Sequence, residues 1–167
     1  MKYASILKCD TANGNGFRVS LFCSGCGRKC PNCFNPEAQD PNYGKQFDEK
    51  AKMKIFAELD NPYCKGLSLL GGDPMSVLSD NRSVIIDLCK EVKAKYPDKD
   101  IWMWTGYTYE ELLADETASE IFEWIDVVVD GPFVESMKKI GLRFCGSSNQ
   151  RIIDVRKTRE TGKICLS

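Results

Sequence analysis

The sequence predicts an α/β fold: a mostly parallel sheet with helices between its strands, built as a partial barrel left open along one side. Three observations predict it. Strand-like and helix-like segments alternate along the chain, which implies βαβ units. The residues best suited to chemistry fall just after the strands, at the carboxyl ends where such sheets place their sites. The chain has 167 residues, whereas a closed eight-unit barrel takes about 250. Four or five units leave one side open, which suits a macromolecular substrate fed in laterally better than a small molecule that must be enclosed.

The elements follow in order. Residues 17–23 (Phe-Arg-Val-Ser-Leu-Phe-Cys) alternate loosely between apolar and polar and predict a first strand, after a loop punctuated by Gly14 and Gly16. A loop with Gly25, Gly27 and Pro31 comes next, and residues 36–45 are polar and irregular. Residues 47–59 predict a helix with Ala51, Ile55, Phe56 and Leu59 on one face, stopped by Asp60-Asn61-Pro62. Residues 66–70 are a short apolar strand ending in Gly71-Gly72-Asp73-Pro74. Ser79 or Asp80 caps a second helix, on which Ile85, Leu88, Cys89 and Val92 share a face, and which ends near Tyr96-Pro97. Residues 100–105 are a third strand closed by Gly106. Thr108 and Glu111 have capping-box spacing and open a helix expected to reach about Trp124. Residues 125–129 are a fourth, β-branched strand ending at Asp130-Gly131-Pro132-Phe133. Residues 150–155 predict a last strand, and the tail from Lys157 is polar.

The chain reads as one domain, residues 1–167, with no linker and no low-complexity stretch. A net charge of −1 gives no reason to expect a nucleic-acid or membrane partner. No apolar run approaches the ~20 residues of a membrane span, and the start lacks the features of a signal peptide; a cytoplasmic location is the expectation. Nine cysteines in that compartment argue for free thiols rather than a disulfide framework. There is no histidine. That removes the commonest general acid/base and every Ser-His or Cys-His nucleophile, so any reaction must rest mostly on a cofactor.

The loop after the first strand is where a cofactor would sit. Cys26, Cys30 and Cys33 are spaced Cys-x3-Cys-x2-Cys, and three cysteines on so tight a loop converge on one object. Thiolate-only sites select zinc, Cu(I) or an iron–sulfur cluster. Structural zinc and electron-transfer clusters normally take four protein ligands, so a local trio predicts a [4Fe-4S] cluster with one iron left open. The competing reading is a zinc knob completed by a distant cysteine such as Cys64 or Cys145, and Cys23 has the spacing to imitate a fourth ligand.

Cys-x3-Cys-x2-Cys after one strand and Gly-Gly-Asp-Pro after the next resemble the radical S-adenosylmethionine (SAM) superfamily. Residues 13–18 (Asn-Gly-Asn-Gly-Phe-Arg), 21–26 (Leu-Phe-Cys-Ser-Gly-Cys), 104–107 (Trp-Thr-Gly-Tyr), 129–133 (Val-Asp-Gly-Pro-Phe) and 146–150 (Gly-Ser-Ser-Asn-Gln) are similar to activating enzymes of the anaerobic (class III) ribonucleotide reductase, nearly end to end. The resemblance implies a single radical SAM domain and a cluster held by Cys26, Cys30 and Cys33. Its open iron would bind SAM, which would be cleaved reductively to place a glycyl radical on a C-terminal loop of the anaerobic ribonucleoside-triphosphate reductase. A reduced flavodoxin or ferredoxin is the implied electron donor. Gly71 and Gly72 would admit the methionyl end of SAM closely, and Asp73 would pair with its charge or brace the loop. Asn32 and Phe34 would offer backbone groups and an apolar face to the adenine, with Cys33 between them part of the same cofactor site. Thr105 and Asp130 would lie on the ribose side, and Gly14, Gly16 and Arg18 would shape the approach of the partner's loop. Two rivals stand beside this reading: an activase of another glycyl-radical enzyme, of the formate-lyase type, and a non-catalytic iron–sulfur or zinc module.

Overall fold

Seven strands make one mixed sheet in a computed structural model that describes residues Met1–Ser167. They are β1 (Lys2–Asp10), β2 (Phe17–Cys23), β3 (Lys45–Gln46), β4 (Cys64–Gly71), β5 (Asp100–Trp104), β6 (Val127–Asp130) and β7 (Arg151–Asp154), in the spatial order β3-β1-β2-β4-β5-β6-β7. The central run β2-β4-β5-β6 is parallel. β1 and β3 on one side and β7 on the other pair antiparallel. The outermost strands, β3 and β7, are not paired to each other, so the sheet is not closed.

The helices are α1 (Glu49–Leu59), α2 (Asn81–Lys95), α3 (Tyr109–Leu113) and α4 (Val155–Thr161). Asp48 caps α1 by accepting from the Ala51 N–H at 2.9 Å. Thr108 and Glu111 close the expected capping box on α3. One apolar layer joins sheet to helices: Val19, Leu21, Leu67, Leu69, Ile101 and Met103 of the strands pack with Ile55 and Leu59 of α1 and Ile85, Leu88 and Val92 of α2. Strand periodicity then turns Arg18, Ser20, Ser68, Trp102 and Trp104 to the other face. That face is lined by polar and aromatic groups, and the segment between β6 and β7 crosses it. There the Phe144 ring meets Trp102 edge-on at 5.2 Å, and the Phe144 carbonyl accepts from Trp104 Nε1 at 2.8 Å.

The structure departs from the sequence expectation in several places. The short β3 was not expected, and neither was β1. Most of its residues are half-buried or exposed, so no two-residue alternation marks it. The helix expected to run to Trp124 ends at Leu113. The Asp115 carboxylate takes the N–H groups of Thr117 and Ala118 at 3.0 and 3.2 Å, and this local bonding competes with helix. A separate 3-10 turn, Ser119–Glu123, then leads to β6. The last strand stops at Asp154, whose side chain caps α4 by accepting from Lys157 N, so the polar tail begins as a helix. Finally, β7 is antiparallel because no α-helix lies between it and β6 to carry a parallel crossover.

Arg18 anchors the polar face. It is fully buried, donates from Nε to Ser68 Oγ at 2.7 Å and from Nη2 to the Leu67 carbonyl at 2.9 Å, and pairs through Nη1 with Asp100 at 2.5 Å. A buried cation held this way ties β2, β4 and β5 together, and deleting it strands the acceptors that surround it. Arg18→Ala is expected to cost about 3 kcal/mol in urea unfolding, while Met53→Ala on the exposed side of α1 should change stability by less than about 0.5 kcal/mol.

Candidate functional site

The carboxyl ends of β2, β4, β5 and β6 form one rim that carries the cysteine loop, Gly71-Gly72-Asp73-Pro74, Thr105-Gly106 and Asp130-Gly131, whereas residues 13–18 lie at the opposite, amino end of β2. The cysteine loop leaves β2 at Cys23 and is sewn down by backbone bonds. Gly25 N donates to the Ala38 carbonyl at 2.8 Å and Cys26 N to the Gln39 carbonyl at 3.0 Å. The loop beyond is tightly wound, with Lys29 at φ 47° and Asn32 at φ 51°. Cys26, Cys30 and Cys33 are all free thiols and all partly exposed. Burial pushes the Cys26 thiol up from its ordinary value, and the backbone N–H groups of Arg28 and Lys29 act in the opposite direction. N–H groups aimed at a sulfur stabilise its thiolate form, which is the form that binds metal.

The next loop, at the end of β4, is pressed against this one backbone to backbone. Gly72 N donates to the Cys23 carbonyl at 2.7 Å and Asp73 N to the Gly25 carbonyl at 2.9 Å. Gly71 sits at φ 117°, and a side chain on Gly72 would collide with the carbonyl oxygens of Ala38 and Gly25. Asn81 staples the two loops with its amide, which donates to the carbonyls of Ser24 and Asp73 at 2.9 and 3.0 Å.

Asp73 is 1% exposed. Its carboxylate accepts from Met75 N at 2.9 Å, Gly106 N at 2.9 Å and Thr105 Oγ1 at 2.9 Å. The carboxylate therefore braces the β4 loop against the β5 loop, and Thr105 spends its hydroxyl on that brace. Burial raises the Asp73 pKa, against the pull of the Gly106 and Met75 N–H groups, the Thr105 hydroxyl and the Arg28 charge. Asp130, expected on the ribose side, is fully buried. It accepts from Tyr109 N at 2.7 Å and is paired with Arg151 through both carboxylate oxygens.

The remaining expectations fall as follows. Asn32 donates from Nδ2 to Glu135 at 2.5 Å, tying the cysteine loop to the turn after β6. Phe34 is 99% exposed and presents a free ring beside the third cysteine. Arg18 is enclosed within the fold, and Gly14 lies where a side chain would meet Arg18 Cδ at 2.8 Å, so these two pack against each other. Cys23 belongs to the apolar core. Cys64 opens β4, at the opposite end of the sheet from the rim, and is paired with Phe17. A surface cleft elsewhere lies between Phe122, Trp124 and Arg159; donor chemistry marks the rim as the site.

A family model described as a 4Fe-4S single cluster domain matches residues 12–153. The anaerobic ribonucleoside-triphosphate reductase-activating protein of Vibrio cholerae is 41% identical over 154 residues, which cover 91% of this chain and 97% of the relative. The protein of that name from phage T4 is 38% identical, covering 91% and 93%. Its Escherichia coli K12 counterpart is also 38% identical, covering 93% and 100%. The chain belongs to this family of activating proteins.

Sequence reading of this activating-family chain missed the contacts made between loops. Arg28, inside the cysteine loop, pairs with Glu111 at 2.8 Å and lies over the Tyr107 ring at 4.3 Å. Its partners are about eighty positions away, and no local pattern carries that information. The Asp130–Arg151 pair is hidden in the same way.

A raised carboxyl pKa has a definite sign in stability. Above 3.8 and up to its folded value, the folded state of Asp73 holds the proton more tightly than the unfolded chain. Its contribution to stability is full below 3.8 and declines as pH rises through that window. The expected outcome of urea unfolding across a pH series is that Asp73→Asn, which cannot ionise, gains on the wild-type protein as pH rises through the window. A constant difference at all pH values would contradict the assignment.

Proposed function

We propose that this protein is a radical SAM activase, one domain over residues 1–167 with a partial, laterally open barrel. It would use a [4Fe-4S] cluster on Cys26, Cys30 and Cys33 to cleave SAM reductively and place a glycyl radical on an anaerobic ribonucleoside-triphosphate reductase. One observation carries the reading: three free, partly exposed thiols on a single loop, at the carboxyl ends of parallel strands, in a member of this activating family.

The donor set fits a cluster with a free corner. All three candidate ligands are sulfur, and the chain has no histidine to complete a mixed site. Of the three cysteines weighed as a fourth ligand, Cys23 is buried in the apolar core, Cys64 opens β4 at the far end of the sheet, and Cys145 lies in the segment after β6 with its thiol 3.9 Å from the Gln150 carbonyl. A cubane would offer a different iron to each of the three thiolates. Held by Cys26, Cys30 and Cys33, such a cluster would supply the one-electron chemistry needed to cleave the SAM sulfonium and activate a glycine Cα of the reductase.

The chain's own residues position and shield. Gly71 and Gly72 leave the methionyl end of SAM a surface of bare backbone, where carbonyls accept from its ammonium. Asp73 and Thr105 hold that surface against the β5 loop. Asn32 and Phe34 flank the adenine with a polar edge and an apolar ring. Asp130 shapes the ribose side by fixing Arg151 and the start of α3. The reductase would present its glycine loop to the open face of the sheet, and a reduced flavodoxin or ferredoxin would deliver the electron.

Replacing Cys26, Cys30 or Cys33 with Ala is expected to reduce cluster content sharply and to abolish release of methionine and 5′-deoxyadenosine from SAM. Cys165→Ala, at the far end of the chain, should leave both intact. The decisive assay mixes the anaerobically reconstituted protein with SAM, a reductant and an anaerobic reductase. A glycyl-radical doublet in the electron paramagnetic resonance spectrum of the partner supports the reading, and SAM cleavage without that doublet rejects this reductase as the substrate.

A further inference from the structure

The rim loops are linked through one residue that the mechanism above does not use, by its backbone and by its ring. The Tyr107 backbone N–H donates to Thr105 Oγ1 at 3.2 Å, the atom that also holds Asp73. The Tyr107 carbonyl accepts from Gly131 N at 2.9 Å, which ties in the loop after β6. Two guanidinium groups approach its ring. Arg28, from the middle of the cysteine loop, stands 4.3 Å from the ring centroid. Arg82 stands at 5.8 Å and holds the Met75 carbonyl, just past Asp73, through Nε at 2.9 Å.

We propose that Tyr107 is a positioning residue for cofactor binding: Arg28, held on its ring, fixes the cysteine loop over the surface that receives SAM. This rests on the radical SAM reading.

Arg28 lies two residues from Cys26 and two from Cys30, so whatever holds Arg28 holds the loop between two ligands. The hold has three parts. The ring attracts the cation, and Glu111 accepts from Nη2 at 2.8 Å while its same oxygen caps α3 through Thr108 N at 2.7 Å. Gly106 completes it, since a side chain there would meet Arg28 Cγ at 2.8 Å. Arg28 Nε is buried with no hydrogen-bond partner, consistent with packing against a ring face rather than an acceptor. A long cationic side chain has considerable rotamer freedom, and this arrangement removes much of it before any cofactor arrives. The Tyr107 hydroxyl makes no hydrogen bond, so the ring face is the working part.

The test compares anaerobically reconstituted wild-type protein with Tyr107→Phe, Tyr107→Leu, Arg28→Ala and the Leu/Ala double variant. It measures iron and sulfide content, melting temperature, and SAM affinity from the change SAM causes in the spectrum of the reduced cluster. The expected result is wild-type iron, sulfide and melting temperature throughout, wild-type affinity for Tyr107→Phe, and about tenfold weaker SAM binding in Tyr107→Leu and Arg28→Ala. The double variant should be no weaker than either single one, because both remove the same contact. Wild-type affinity in Tyr107→Leu overturns the proposal. So does a loss that merely follows a loss of iron or a lowered melting temperature. A wild-type protein that holds its cluster yet binds no SAM removes the underlying reading, and the proposal with it.

Discussion

Everything at the rim depends on two backbones lying against each other without side chains between them. The loop that carries the cysteines and the turn at Gly71-Gly72 share hydrogen bonds through Cys23, Gly25, Gly72 and Asp73. A Cβ at Gly72 would displace carbonyl oxygens that have nowhere to go. Glycine at these two positions is thus required by the fold before any ligand is considered. In the proposed reading, the exposed backbone of this turn would also offer its carbonyls to the ammonium of a small zwitterionic ligand.

Charge organises the rest. The protein encloses Arg18, Asp73 and Asp130 almost completely, and each ties together segments distant in sequence: Arg18 joins three strands, Asp73 two loops, and Asp130 links β6 to β7 and α3. Burying a charge is costly unless partners replace its water. Arg18 and Asp130 have ionic partners in contact, while Asp73 is met mainly by N–H and O–H groups, and its raised pKa records that difference. Rigidity at the rim comes from these polar ties, whereas the apolar core lies on the opposite face with the helices.

Much of this was legible in the chain. The four parallel strands announced themselves because each ends in turn-forming residues after an apolar run, and the cysteine loop because three thiols at that spacing have few other uses. The capping box of Thr108 and Glu111 was readable because its logic is local. β1 escaped because a strand with most of its residues half-buried or exposed has no one-sided pattern. The early end of α3 escaped because Asp115 satisfies backbone groups that helix would otherwise claim. The role of Asp130 was opaque for a different reason. A carboxylate after a strand reads as a ligand, and only the fold reveals Arg151 already seated on it.

The central claim is that three thiolates hold a cluster whose fourth iron binds SAM directly. Pulsed electron-nuclear double resonance on the reduced protein, with SAM labelled at its amino nitrogen and carboxylate oxygen, measures that contact. Strong hyperfine coupling from both labels to the cluster is the result this account predicts. A reduced cluster that shows coupling to neither label, with a fourth cysteine in its coordination sphere instead, would contradict it.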